Sequence, residues 1–326
     1  SGLIAGRTTD PPPGVAERLA RAGVPWRELA QLRRPVRPLA DCLALLRLRR
    51  AIRQQRPDIV HTHSSKAGFL GRLAARAAGV PRIVHTPHGH VFHGYFSAVA
   101  THAFSLMERV AAPWTDRIIT LSDEEAKDHL RRGIGTPGQF VTIPSGVELG
   151  PVLSAAPTRL VPDGPVIGAV ARLVPVKGLH HLIDAAPIVL RHCPRARFLL
   201  VGEGEMRPAL EARARARGLQ AHILFTGFRE DVASVMAGTD LVVLPSINEG
   251  MGRVLVMAMA LGKPIVASRV GGVAELLGEG EAGILVPPGD PAALAEAIST
   301  LLRDSQRART LGDAGRRRAP RYSAEA

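Results

Sequence analysis

DLVVLPSINEGMGRVLVMAMALGKPIVASRVGG, residues 240–272, reads as a strand, a glycine turn, a helix and a second strand in direct succession. DLVVLP is a short apolar run of the kind that forms a buried strand, and PIVAS at 264–268 is another. Between them the turn Gly250-Met251-Gly252 frees backbone N–H groups, and 253–261 has the length and the Met/Ala/Leu content of a helix. A strand that returns through a helix to a second strand is the crossover unit of a parallel sheet. The helix directs its unpaired N–H groups and the positive end of its dipole beyond the strand, with Glu249 at the mouth. That arrangement fits an anionic, hydroxyl-bearing ligand, a phosphate above all.

The same alternation continues in both directions. In the first half, strands are expected at DIVHTH (58–63), RIVHT (82–86), DRIITL (116–121) and FVTIP (140–144), with helices near 39–55, 67–78, 98–112 and 123–132. In the second half, strands are expected at 165–171, 197–202, 222–227, 240–245, 264–268 and 283–287, with helices near 179–191, 206–217, 231–237, 253–261 and 291–302. GPVLSAAPTRLVPDG, within 149–164, is rich in Pro, Gly and small residues and has no clear period, so the break between two domains is expected there. The expected fold is α/β: two Rossmann-like, doubly wound parallel-sheet domains of similar size, 1–155 and 156–326, facing across a cleft at the carboxyl ends of their strands. SGLIAG at 1–6 looks like the tail of a strand, so a first strand with its Gly-rich loop is expected to precede Ser1. RRRAPRYSAEA stops where another helix would start, and the chain is expected to be a fragment.

With 326 residues, 46% hydrophobic and 22% charged, the composition is globular and excludes a disordered or fibrous chain. Two cysteines far apart, Cys42 and Cys193, form neither a disulfide framework nor a cysteine-rich metal site and fit a reducing cytoplasm. No signal-peptide pattern and no apolar run near the ~20 residues of a membrane span occur, so an integral membrane protein is not expected. The net charge of +13 is concentrated: residues 18–82 hold fifteen Lys/Arg against three acids. Such a patch suits an anionic membrane surface, a phosphorylated acceptor or nucleic acid, or is simply a solvated arginine-rich face. Nucleic acid ranks below membrane because aromatics make up only 4% of the chain and no stacking cluster accompanies the charge. LALLRLRRAIRQQR at 43–56 places leucines and arginines on one amphipathic element. Its leucines also suit packing on a sheet, and the sequence leaves both uses open.

A second constellation, VARLVPVKG at 170–178, leaves the first strand of the second domain. Arg172 and Lys177 can place two cations on one diphosphate there, Arg as a fork and Lys as a point charge, at the same sheet edge as the glycine-flanked helix.

VARLVPVKG, VGEGEMR, FTGFREDV, PSINEGMGRVLVMAMALGKPIVAS and GGVAELL together resemble, in order and spacing, the C-terminal domain of the GT-B glycosyltransferases of family four, retaining and metal-independent sugar transferases. HTHSSKAGFLGR, HTPHGHVFHGYF and IPSGVE resemble the subgroup that builds bacterial surface polysaccharides on lipid carriers. The resemblance implies that Arg172 and Lys177 neutralise the donor diphosphate and the charge growing on it as the glycosidic bond breaks. It implies that Glu249, the first acid of a Glu-x7-Glu motif, contacts hydroxyls of the donor sugar, and that the backbone of Gly250, Met251 and Gly252, with Arg253 beside it, holds sugar and phosphate. Gly202, Glu203 and Phe228 fall on loops that line the nucleotide base pocket in the family, although a core position for Phe228 fits equally. His88 matches the histidine that faces the transferred sugar.

His85, His88, His90 and His93 crowd one segment, and His61 and His63 end the preceding strand, so a metal site stands against a hydrogen-bonding role for His88 near the sugar and against a merely structural loop histidine. Neither HExxH nor paired cysteines occur, and no metal and no other cofactor is expected, the nucleotide sugar being a co-substrate. Two departures from the family pattern stand out. Met257 occupies the place of the second acid, and a thioether there forfeits a charged acceptor worth roughly 1.5–3 kcal/mol. The Gly-rich loop of the first strand is also missing, since nothing in 1–14 replaces it.

The leading expectation is transfer of a hexosyl or N-acetylhexosaminyl group, with retention by front-side attack, from a nucleotide sugar to a lipid-linked or glycan acceptor. The enzyme would be cytoplasmic, peripheral at the inner membrane face and without nucleic acid as a partner. Nucleotide-sugar 2-epimerisation needs paired acid and base groups around the reacting carbon, where this chain offers one acid. A degenerate nucleotide-binding module without activity is the third reading, because Met257 and the missing loop both remove donor contacts.

Overall fold

The computed structural model describes residues 2–7, 15–33, 35–88 and 97–325. Strands in chain order are β1 (Leu3–Gly6), β2 (Trp26–Leu29), β3 (Ile59–His63), β4 (Arg82–Thr86), β5 (Arg117–Thr120), β6 (Phe140–Thr142), β7 (Val166–Val170), β8 (Arg197–Val201), β9 (Ile223–Gly227), β10 (Leu241–Leu244), β11 (Ile265–Ser268) and β12 (Ile284–Val286). Every ladder between them is parallel, as the alternation of strand and helix requires.

Contacts divide the chain into two compact units, the first drawn almost wholly from residues up to Thr142 and the second from Ile143–Ala326. In the first unit β3, β4, β5 and β6 form a four-stranded sheet in chain order, and β1 pairs with β2 in a separate two-stranded ladder. Helices Pro38–Gln55 and Ser65–Ala78 pack together through Ala44, Leu48, Ile52, Leu70, Ala74 and Ala75, in a core shared with Leu29 and Ile83. β1 lies where the sequence suggested the tail of a strand. β2 and the helix Val15–Arg21 were not expected, because WREL and VAERLAR are too short and polar to show a period, and the helix has no buried residue.

The second unit has six strands in the order β12-β11-β10-β7-β8-β9. The chain starts at the centre with β7, moves outward to β9, then returns to the other side of β7 with β10 and moves outward again. This is the doubly wound order with its reversal between β7 and β10, the place where the loops leaving two adjacent strands open a crevice. β10 and β11 are buried along their whole length and β8 almost so, which is why they read as continuous apolar runs. The helix Arg253–Ala260 is also apolar nearly all round, with Leu255, Val256, Ala258, Met259 and Ala260 buried, because it crosses from β10 to β11 beneath the C-terminal segment.

The change of unit comes earlier than the Pro/Gly-rich stretch. Val147, Leu149 and Val152, the latter two on a short helix Leu149–Leu153, belong to the core of the second unit. Val147 also exchanges backbone hydrogen bonds with Tyr322 and Ala324. The helix Ser305–Arg318 was not expected either, since SQRARTLGDAGRRR carries few apolar residues and its buried positions are Gly312 and Gly315.

Candidate active site

The reversal between β7 and β10 brings together the two loops the sequence singled out. The loop after β7 runs from Ala171 to Gly178 and ends in the helix Leu179–His192; the loop after β10 runs from Pro245 to Gly252 and ends in the helix Arg253–Ala260. A backbone bond from Ile247 N–H to the Val176 carbonyl, 2.8 Å, ties one loop to the other. Gly178 makes this approach possible: its φ is +61°, and a Cβ there would lie 2.1 Å from the Pro245 carbonyl oxygen.

Lys177 and Glu249 meet within this crevice. Lys177 Nζ donates to Glu249 Oε1 at 2.5 Å, and the fully buried Ser246 hydroxyl donates to the same oxygen at 2.8 Å. The side chains of Lys177 and Glu249 are 19% and 10% exposed, so the pair is largely withdrawn from water while still reachable. Arg172, on the same loop as Lys177, is exposed and makes no ion pair with any described residue. The loop after β7 thus carries two cations, Lys177 matched by Glu249 and Arg172 without a counter-charge among the described residues.

Gly250 is partly buried and Gly252 is the N-cap of the helix Arg253–Ala260, whose N-terminus receives no side-chain cap. Met251 is 3% exposed and packed in the hydrophobic core, so its side chain serves packing. Arg253 is exposed at the first turn of the helix. Met257 is partly buried against the same core cluster, its thioether standing where an acid was sought.

The loop after β8 leans on the loop after β7. Gly202 has φ +134°, and a Cβ on it would lie 2.0 Å from the Ala171 carbonyl oxygen. Leu173 N–H donates to the Glu203 carbonyl at 2.8 Å. The Glu203 carboxylate is exposed and accepts from Arg207, at the start of the helix Arg207–Ala216, which also bonds Glu211, so this loop acid is already engaged by the helix that follows it. Phe228, on the loop after β9, is 64% exposed and is therefore not a core residue; its ring offers a free aromatic face.

In the first unit the carboxyl ends of β3 and β4 gather histidines. His63 Nδ1 and His88 Nε2 are 2.8 Å apart, and the two rings stack with centroids 5.0 Å apart. His61 lies against His63 and bonds the Thr86 hydroxyl. Partial burial, and then the neighbouring rings of His61 and His88, push His63 down to about 4; burial and His88 lower His61 as well. His88 is exposed and holds a left-handed backbone, φ +61°, uncommon for a residue with a Cβ. His85 is separate from this group: it is buried, bonds Thr62, and lies 3.9 Å from Glu108, whose carboxylate receives the fully buried Arg72. Burial foremost, and Arg72 next, hold His85 well below its ordinary value. His90 and His93 lie outside the described residues. Among the described residues, no group of three or more His, Cys, Asp or Glu is arranged to hold a metal ion.

Two participants were not picked out from the sequence. Ser246 stands three residues before Glu249, a Ser-x-x-Glu spacing that signals a local side-chain bond. His63 was noted as a strand end, but its link to His88 depends on two strands meeting in register, His63 opposite Thr86.

Two family models match the chain. Residues 164–304 match "Glycosyl transferases group 1", and residues 4–146 match "Glycosyl transferase 4-like domain". The chain is 32% identical over 245 residues to UDP-Gal:alpha-D-GlcNAc-diphosphoundecaprenol alpha-1,3-galactosyltransferase of Escherichia coli, an alignment covering 72% of this chain and 63% of that enzyme. It is also 32% identical over 310 residues to alpha-D-kanosaminyltransferase of Streptomyces kanamyceticus, covering 87% and 78%. The crystal structure of HepE from Anabaena in complex with UDP and glucose superposes with a TM-score of 0.79 at 24% identity, covering 98% of this chain and 87% of that one, a likeness of fold.

Proposed function

This chain belongs to the group 1 glycosyl transferases, with the α/β, parallel-sheet architecture of the GT-B enzymes, and we propose that it moves a sugar from a nucleotide-sugar donor to a lipid-linked or glycan acceptor with retention at the anomeric carbon. The observation that carries this reading is the crevice between β7 and β10, where Lys177 faces Glu249 and Arg172 stands without an internal counter-charge.

The donor's diphosphate takes the place beside Arg172 and Lys177, and the helix that starts at Arg253 adds its uncapped N–H groups. As the bond from the anomeric carbon to the diphosphate oxygen lengthens, negative charge collects on that oxygen, and two fixed cations lower the barrier by stabilising it. Glu249 bonds hydroxyls of the sugar, and the exposed Phe228 face stacks on the base. The acceptor hydroxyl attacks from the face the diphosphate leaves and passes its proton to the departing diphosphate. No metal and no further cofactor takes part.

The helix Pro38–Gln55 supports a site of action at the inner face of the cell membrane. Ala44, Leu48, Ala51 and Ile52 are buried, whereas Leu39, Leu43 and Leu46 are exposed on one stripe that continues into Arg50 and Arg53. Leucines beside unpaired arginines suit a surface of anionic headgroups over acyl chains. Among the described residues, no helix is long and apolar enough to cross a membrane.

The test is transfer of radiolabel from UDP-galactose, UDP-glucose and GDP-mannose to a diphosphoundecaprenol-linked sugar, with the anomer of the product read by NMR. An α-linked glycolipid from an α-linked donor is expected. Absence of transfer from all three, or an inverted product, overturns the reading.

A further inference from the structure

Lys177 and Glu249 already satisfy one another, and this has a consequence for which nucleotides the crevice keeps. Glu249 accepts both of its bonds on Oε1, one from Lys177 and one from Ser246, and only 10% of its side chain reaches solvent. Lys177 is little more exposed, at 19%. The backbone bond between Ile247 and Val176 fixes the spacing of the two loops, and Ser246, with none of its surface exposed, fixes the carboxylate on its own loop. We propose that the Lys177–Glu249 pair is an internal occupant that the donor must exchange, so that the crevice holds a sugar nucleotide more tightly than the bare nucleoside diphosphate left after transfer. The inference rests on the donor-binding reading given above and assigns Ser246 as a positioning residue within it.

The reason is the state in which each ligand leaves Glu249. A phosphate that takes the ammonium of Lys177 removes the one cation that bonds this largely buried carboxylate among the described residues and sets a second anion near it. Ser246 alone then supports the Glu249 charge, and a buried carboxylate short of partners is unfavourable. A sugar joined to that phosphate brings hydroxyl donors into the same place, so both halves of the broken pair are matched again. A bare diphosphate has no such donors. It must either leave Lys177 to Glu249 and bind through Arg172 alone, or strand the carboxylate. Once the sugar has left for the acceptor, re-forming the internal pair favours release of the nucleotide.

Calorimetry on the full chain with UDP, UDP-galactose, GDP and GDP-mannose tests this. The wild type is expected to bind one sugar nucleotide at least about tenfold more tightly than its own diphosphate. In Glu249→Gln, Lys177 is released, so affinity for the bare diphosphate is expected to rise by about fivefold to tenfold, while that for the sugar nucleotide falls and the preference closes. Ser246→Ala, a smaller change, removes the bond that supports Glu249 once Lys177 is drawn away, so affinity for the bare diphosphate is expected to fall by about twofold to fivefold and that for the sugar nucleotide by less, widening the preference where a misfolded chain would lose both alike. Diphosphate binding that is unchanged or weaker in Glu249→Gln, or not weakened in Ser246→Ala, with a wild type that does bind a sugar nucleotide, overturns the exchange and leaves the donor reading intact. A wild type that binds none of the four probes overturns both.

Discussion

The amide of Ile247 donates to the carbonyl of Val176 at 2.8 Å, and through that bond the loop that carries Glu249 is joined to the loop that carries Lys177. Close contact of two backbones is possible here because Gly178 has no Cβ to strike Pro245. Gly178→Ala combines a left-handed φ with a clash against a carbonyl oxygen, and is expected to destabilise the second unit by on the order of 2–4 kcal/mol. Urea unfolding measures it. A variant with the wild-type midpoint would show that the loops are not pressed together as described.

Arg172 is expected to separate activity from stability. It is exposed and pairs with no described carboxylate, so Arg172→Ala should change stability by no more than about 0.5 kcal/mol. The same change removes one cation from the developing diphosphate and should lower kcat by about a hundredfold or more. Steady-state kinetics beside a thermal melt decides the matter, and equal, small effects on both would remove Arg172 from the chemistry.

Phe228 makes the corresponding case for binding. Its ring is too exposed to support the core. Phe228→Ala should leave the melting temperature unchanged and weaken nucleotide binding by about fivefold, the loss of ~1 kcal/mol of stacking. A lower melting temperature with unchanged affinity would assign the ring to packing instead.

The histidine pair at the end of β3 gives a pH signature. His63 titrates near 4 in the folded chain, whereas an unfolded histidine titrates near ~6.5. On acidification the unfolded state therefore gains its proton first, and stability falls as pH drops from about 6.5 to about 4, levelling below that. His61 is shifted in the same direction. His63→Gln should flatten part of this slope in urea unfolding across that range. An unaltered slope would mean that the rings do not crowd one another in solution.

The exposed stripe of the helix Pro38–Gln55 predicts lipid behaviour. Wild-type chain should float with phosphatidylglycerol-containing vesicles and release as salt rises, each surface cation contributing ~1 kcal/mol. Leu43→Gln with Leu46→Gln should weaken flotation at every salt concentration, and Arg50→Gln with Arg53→Gln should reduce its salt dependence. Flotation that ignores lipid charge would exclude this face as the contact.

The sequence by itself determined the alternation of strands and helices. β7 to β12 and the helices between them are apolar runs whose period and length follow from burial on one or both faces, and a local pattern is enough to read that. It also marked Arg172, Lys177 and Glu249, because loops leaving parallel strands collect the polar groups that ligands need. It missed β2 and the helix Ser305–Arg318, whose packing uses short, polar or glycine-rich surfaces without a period. Only the tertiary structure decided that β10 returns beside β7, and so that Lys177 and Glu249, 72 residues apart in the chain, share one hydrogen bond with Ser246 holding the acceptor in place. Strand order decided it too for His63 and His88, brought ring to ring by the register of β3 on β4. Pairings of this kind depend on the path of the chain between them, which no local run of residues encodes.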